Sequence, residues 1–125
     1  AHPERYPFVH NDPDMIYELI NKGVLMQANY GSFIGQYGNK TKLIAKKLIE
    51  NNMIHFLGSD CHKFGSIYPK ISRCKKVIEE IIGNDNFDII SSVNPKLVLN
   101  NKKINIPEPK KIKFSLSEKI ILKMP

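Results

Sequence analysis

Two stretches of this chain carry side chains that could do chemistry together. They are Ala1-His2-Pro3-Glu4-Arg5 at the start and His55-Phe56-Leu57-Gly58-Ser59-Asp60-Cys61-His62 in the middle. Asp60 and His62 lie two residues apart, after an apolar run from Met53 to Leu57 that reads as a buried strand. On extended chain, residues i and i+2 face the same side. A carboxylate oxygen and an imidazole nitrogen would therefore converge at a strand's carboxyl end. Hard divalent ions such as manganese accept that mixture of donors. An Asp-x-His pair alone is a weak signal, more often a helix cap beside a surface histidine. A second histidine, His2, with Arg5 three residues after it, makes the combination specific.

Such residues need elements to position them. Asn11-Asp12-Pro13-Asp14 reads as a helix start with Asp12 as cap; Met15, Ile16, Leu19 and Ile20 form its apolar face and Gly23 its stop. Val24 to Ala28 reads as a short buried strand, and the glycine- and aromatic-rich Tyr30–Gly38 as a loop. A second amphipathic helix spans Lys40 to Asn52 and runs into the strand 53–58. A third covers about Lys70 to Ile82 and ends at Gly83. Asp85 caps a short helix reaching Ser92, and Asn94-Pro95 opens a further turn. Helices alternating with short buried strands predict an α/β fold with parallel strands. His2 would end a strand that precedes this chain, so the expectation is half a barrel or half an open sheet.

The composition narrows the function classes. The chain has 125 residues, one domain's worth or part of a larger domain, and 42% are hydrophobic, enough for a core. It has neither an apolar run of membrane-spanning length nor a secretory leader pattern, and it starts without Met, as expected of a piece or a processed chain. The net charge of +7 invites a nucleic-acid reading, but Arg5 and Arg73 are the only arginines and the lysines are scattered. No nucleic-acid partner is expected. Two cysteines, Cys61 and Cys74, make no secreted disulfide framework, so a reducing cytoplasm is expected. Cysteine-dependent tyrosine phosphatases place an arginine six positions after the nucleophile; here those positions hold Ile67 and Glu80. Phosphatase chemistry in this chain would have to be metal-based.

The motif Ala1–Arg5, the loop Gly31–Gly38, the stretch His55–His62 and Asn94-Pro95 agree in order and spacing with one family. Over residues 1–100 the chain resembles the C-terminal half of the bacterial capsular-polysaccharide tyrosine phosphatases, which belong to the polymerase-and-histidinol-phosphatase superfamily. The resemblance implies the C-terminal part of a distorted (β/α) barrel with parallel strands. It implies two or three divalent ions, usually manganese, at the carboxyl ends of those strands. His2, Asp60 and His62 take the positions of metal ligands, and Arg5 that of the arginine that holds the substrate phosphate. The implied substrate is a phosphotyrosine protein, a bacterial tyrosine kinase controlling polysaccharide export. An oligomer is left open.

Two departures accompany the resemblance. The family's His-x-His pair and further ligands from the first half of the barrel have no counterpart here. Where the family often has an arginine after the Asp-x-His motif, this chain reads Lys63-Phe64-Gly65-Ser66-Ile67. The expectation is therefore a poorly active chain whose parent is an enzyme. The alternatives are a small-molecule phosphoesterase of the same superfamily and an inactive fragment acting as a binding module. His55 is expected to be a packed histidine and His10 an exposed one; Tyr30, Phe33 and Tyr37 either pack or line a phosphotyrosine pocket. Residues 101–125 read as a basic, Pro-containing extended tail with one weak apolar segment, Phe114 to Leu122.

Overall fold

The strands that the apolar runs predict do pair, in parallel, but each is short. In the computed structural model, which describes residues 1–60 and 67–125, β1 (Gln27–Asn29) pairs with β2 (Phe56–Gly58) in the register Gln27↔Phe56, Ala28↔Leu57, Asn29↔Gly58. Ladder pairing begins at Gln27 and not at Val24, and on the partner strand at Phe56 and not at Met53. Met26 still takes part through its carbonyl, which accepts from the His55 and Phe56 amides. Val24 and Leu25 stay exposed.

Parallel strands need a crossover, and helix α3 (Asn39–Glu50) supplies it. Leu43, Ile44, Ala45, Leu48 and Ile49 are all buried on it, as their helical spacing requires. Before β1 come two helices, α1 (Pro7–Asn11) and α2 (Asp14–Asn21). Gly23 ends α2 with φ +95°, its amide bonding to the Ile20 carbonyl while Val24 N–H reaches Leu19. The expected Asp12 cap is not formed: Pro13 occupies the N-cap position with no side-chain bond. Asp14 instead accepts from the Ile112 amide at 3.4 Å, a contact with the far end of the chain.

The segment Tyr30–Ile34, expected as loop, is a 3-10 turn that buries Phe33. After β2 and the 3-10 turn Tyr68–Lys70 come α4 (Ile71–Ile82), α5 (Asn84–Asp88), a π-helical turn Ile89–Val93 and α6 (Asn94–Leu99). The core joins α2, α3, α4 and both strands through Ile16, Ile20, Ala28, Ile44, Leu48, Leu57 and Ile78.

The tail departs from the extended expectation. Ser115 and Glu118 form a reciprocal capping box that starts α7 (Leu116–Lys123). The strap leading to it is tied to the end of α3: Lys110 N–H bonds to the Asn51 carbonyl at 3.0 Å, and Asn52 donates to the Glu108 carbonyl at 3.1 Å. Ile112 is buried, and Lys47 pairs with Glu118 at 2.9 Å. Among the described residues, no helix is long and apolar enough to cross a membrane.

Candidate active site

Two of the four residues singled out in the sequence, Arg5 and Asp60, meet at the carboxyl ends of the strands. Asp60 lies two residues beyond β2, with φ +47°, a left-handed conformation that Asp tolerates better than most residues. Arg5 closes the 3-10 turn Pro3–Arg5 and places Nη1 3.1 Å from Asp60 Oδ2. The same oxygen accepts from Asn29 Nδ2, at the end of β1, at 3.3 Å. The Arg5 guanidinium also lies 4.0 Å above the ring of Tyr37, a cation–π contact. Tyr37 is held between Gly35 and Gly38, whose positive φ values turn the chain around it. His62, the fourth candidate, lies outside the described residues, as do Cys61 and Lys63.

His2 is fixed by its backbone. Its amide donates to the Gln27 carbonyl at 2.7 Å, so the motif runs along the edge of β1 away from β2. Its ring packs against Tyr6 at 5.2 Å, and Nδ1 is buried without a hydrogen-bond partner among the described residues. Between His2 and Arg5 the chain buries Glu4 completely. Glu4 Oε1 accepts from the Asn29 amide at 2.8 Å and the Ser32 hydroxyl at 2.7 Å. Burial pushes the Glu4 carboxyl above its usual range, against the opposing pull of those donors and of His2.

The other histidines are structural. His55 is buried as expected: its Nδ1 accepts from the Met26 amide at 2.9 Å, and burial pushes its pKa down. His10 is not the exposed residue expected: it is half-buried, with Nε2 at 2.6 Å from the Glu4 carbonyl. Cys74 is a buried free thiol, its pKa raised by burial. Phe33 packs in the core and Tyr30 lies half-buried against Phe87.

The family model for capsular polysaccharide synthesis, CpsB/CapC, matches residues 1–100, the span that contains every residue of this cluster. The chain belongs to the CpsB/CapC family. It is 31% identical over 113 residues to the tyrosine-protein phosphatase YwqE of Bacillus subtilis, covering 90% of this chain and 44% of that protein. It is 34% identical over 107 residues to the putative tyrosine-protein phosphatase CapC of Staphylococcus aureus, covering 84% and 41%. In structure it is similar, with a TM-score of 0.83 and 31% identity, to a chain from the crystal structures of YwqE from Bacillus subtilis and CpsB from Streptococcus pneumoniae, described as unique metal-dependent tyrosine phosphatases. That match covers 91% of this chain and 46% of the other. This CpsB/CapC chain thus spans less than half the length of the relatives it matches.

The donors here suit a divalent ion in kind. Four buried side-chain atoms among the described residues lack a hydrogen-bond partner, and three of them, His2 Nδ1, Glu4 Oε2 and Asn29 Oδ1, belong to this corner. Orphaned nitrogen and oxygen atoms in a corner that also holds carboxyl groups are what a cation would satisfy. In number they fall short, since the described residues hold no group of three or more His, Cys, Asp or Glu able to enclose an ion. The sequence reading missed Asn29 and the burial of Glu4. The one available signal was a polar residue ending the apolar run Val24–Ala28.

Proposed function

We propose that this CpsB/CapC chain is the carboxyl-terminal half of the barrel of a metal-dependent protein-tyrosine phosphatase. His2, Asp60 and His62 are its metal ligands and Arg5 its phosphate-binding residue. One observation carries the reading: Arg5 and Asp60, 55 residues apart, meet at 3.1 Å, and Arg5 closes the same short turn that His2 starts. A guanidinium, a carboxylate and an imidazole at the ends of parallel strands form the combination needed to hold a phosphate next to cations.

When bound, divalent manganese ions supply positive charge to the phosphoryl oxygens and make a nucleophile available from water at neutral pH. The chain's own residues do the rest. Asp60 must be ionised and His2 and His62 neutral to act as ligands. Arg5, stacked on Tyr37, is held with its fork toward the site, so it can transfer from Asp60 Oδ2 to an arriving phosphate with little loss of order. The substrate is a phosphotyrosine protein, a bacterial tyrosine kinase acting in capsule or exopolysaccharide synthesis in the cytoplasm. Residues 1–100 carry the half-barrel, and 101–125 form a strap and helix behind it.

The test is manganese-dependent hydrolysis of a phosphotyrosine peptide by the chain alone and joined to the amino-terminal half of a relative, with histidinol phosphate as comparison substrate. Low turnover alone, restored turnover when joined, and loss in Asp60→Ala and His62→Ala are expected. Turnover that persists in Asp60→Ala would sink the assignment. A preference for histidinol phosphate would move the enzyme to the small-molecule branch of its superfamily. No turnover even when joined would leave a binding module.

A further inference from the structure

Behind Asp60 lies a polar corner from which solvent is excluded. Glu4, Asn29 and Ser32 are each 0% exposed. Burying a carboxylate is costly unless donors compensate it, and in many proteins an apolar replacement would be at least as stable. Here the donors are specific: the Asn29 amide and the Ser32 hydroxyl both meet Glu4 Oε1. The result is a fixed backbone at the last residue of β1. Asn29 is aligned with Gly58, two residues before Asp60, and its side chain crosses to Asp60 Oδ2.

Arg5 and Asn29 differ in what they can do for that oxygen. Arg5 is charged and half-exposed, and an arriving phosphate competes for it. Asn29 is neutral and buried, so it can hold the carboxylate without opposing a cation and can stay when Arg5 leaves. We propose that Asn29 is a positioning residue for Asp60, and that the buried Glu4 carboxylate is the anchor that seats Asn29. This rests on the reading of Asp60 as a metal ligand. Glu4 stands between His2 and Arg5 in sequence, so the same anchor pins the turn that carries both. Partners one shell out from a metal typically change its affinity when removed, by about ten- to a hundredfold.

The experiment titrates Mn2+ against the full chain and its Asn29→Ala variant, reading free Mn2+ by electron paramagnetic resonance, with circular-dichroism melts to establish folding. The 15N–1H signals of the Arg5 guanidinium are recorded on the same samples without metal. The expected result is an Mn2+ dissociation constant raised about ten- to a hundredfold in Asn29→Ala, with the separate Arg5 signals merging as its partner loosens. Glu4→Gln, which keeps an oxygen acceptor at the same reach, should lose less affinity than Glu4→Leu. Unchanged Mn2+ affinity in folded Asn29→Ala overturns the proposal. If that variant does not fold, Asn29→Ser, too short to reach Asp60, takes its place under the same criterion. A parent chain that binds no Mn2+ refutes the metal reading by itself; the Arg5 signals alone then decide whether Asn29 positions Asp60.

Discussion

His55 and Asp60, which flank the two ends of β2, are only five residues apart, yet they are held in opposite ways. At the amino end, three of His55's polar groups are bonded inside the fold, while its Nε2 has no partner among the described residues. Its ring accepts from the Met26 amide, its own amide donates to the Met26 carbonyl, and its carbonyl accepts from Asn94 Nδ2, each at 2.9 Å. At the carboxyl end, Asp60 is met by side chains from remote segments, Arg5 at 3.1 Å and Asn29 at 3.3 Å. The first set is neutral and buried, so breaking it strands polar groups away from water. The second set is partly charged, with side-chain exposures of 36% for Arg5 and 21% for Asp60, so water or a ligand can take over either role. Backbone-bound polar groups in the interior hold the fold, and charged side-chain pairs at its rim can be exchanged for a ligand.

The largest stability loss should therefore come from the amino end. His55→Ala removes a fully buried ring and leaves the Met26 amide without its acceptor, so unfolding in urea should show a loss of about 2–4 kcal/mol. The same residue sets a pH dependence. Burial lowers the folded pKa of His55 below its ordinary 6.5, so the unfolded chain binds the proton more readily. Its contribution to stability is complete above that value and is lost as pH falls below it. The urea midpoint should drop between about pH 7.5 and about 5.5, and a His55→Gln variant should lose that part of the slope. A slope unchanged by the substitution would overturn the assignment to His55. Next in size is Asn94→Ala, which strands the His55 carbonyl and should cost about 1–2 kcal/mol. A value near zero would mean that the π-helical turn Ile89–Val93, not Asn94, covers that edge of β2.

This contrast was half visible in the sequence. Periodicity located α3 and α4 to within a residue or two, because their apolar faces are continuous and end at glycine or polar positions. The meeting of Arg5 with Asp60 joins residues that short spacings had already singled out. The ends of β1 were not legible, since pairing depends on which part of β2 lies opposite. Asn29 could not be recognised as a partner of Asp60 for the same reason: 31 residues separate them and only the register aligns them. The tail shows both cases. Ser115-x-x-Glu118 is a local helix-start signal that was there to be read, whereas the burial of Ile112 and the Lys47–Glu118 pair depend on α3.

The smallest effect on folding should come from the carboxyl end, and that asymmetry is the sharpest check on the comparison. Asp60→Asn keeps the shape and tolerates the same positive φ, while removing the charge that faces Arg5. A part-exposed pair of this kind contributes up to about 1 kcal/mol, so the urea midpoint should barely move. Mn2+ binding, by contrast, should weaken at least tenfold, since a neutral amide oxygen replaces an ionised carboxylate. The two readouts belong on one sample because they separate the possible roles of this corner. A large stability loss with unchanged Mn2+ affinity would make Arg5–Asp60 a structural pair like those around His55. Lost affinity in a chain of undiminished stability would mean that the carboxyl end of β2 is kept for a ligand and contributes little to holding the fold.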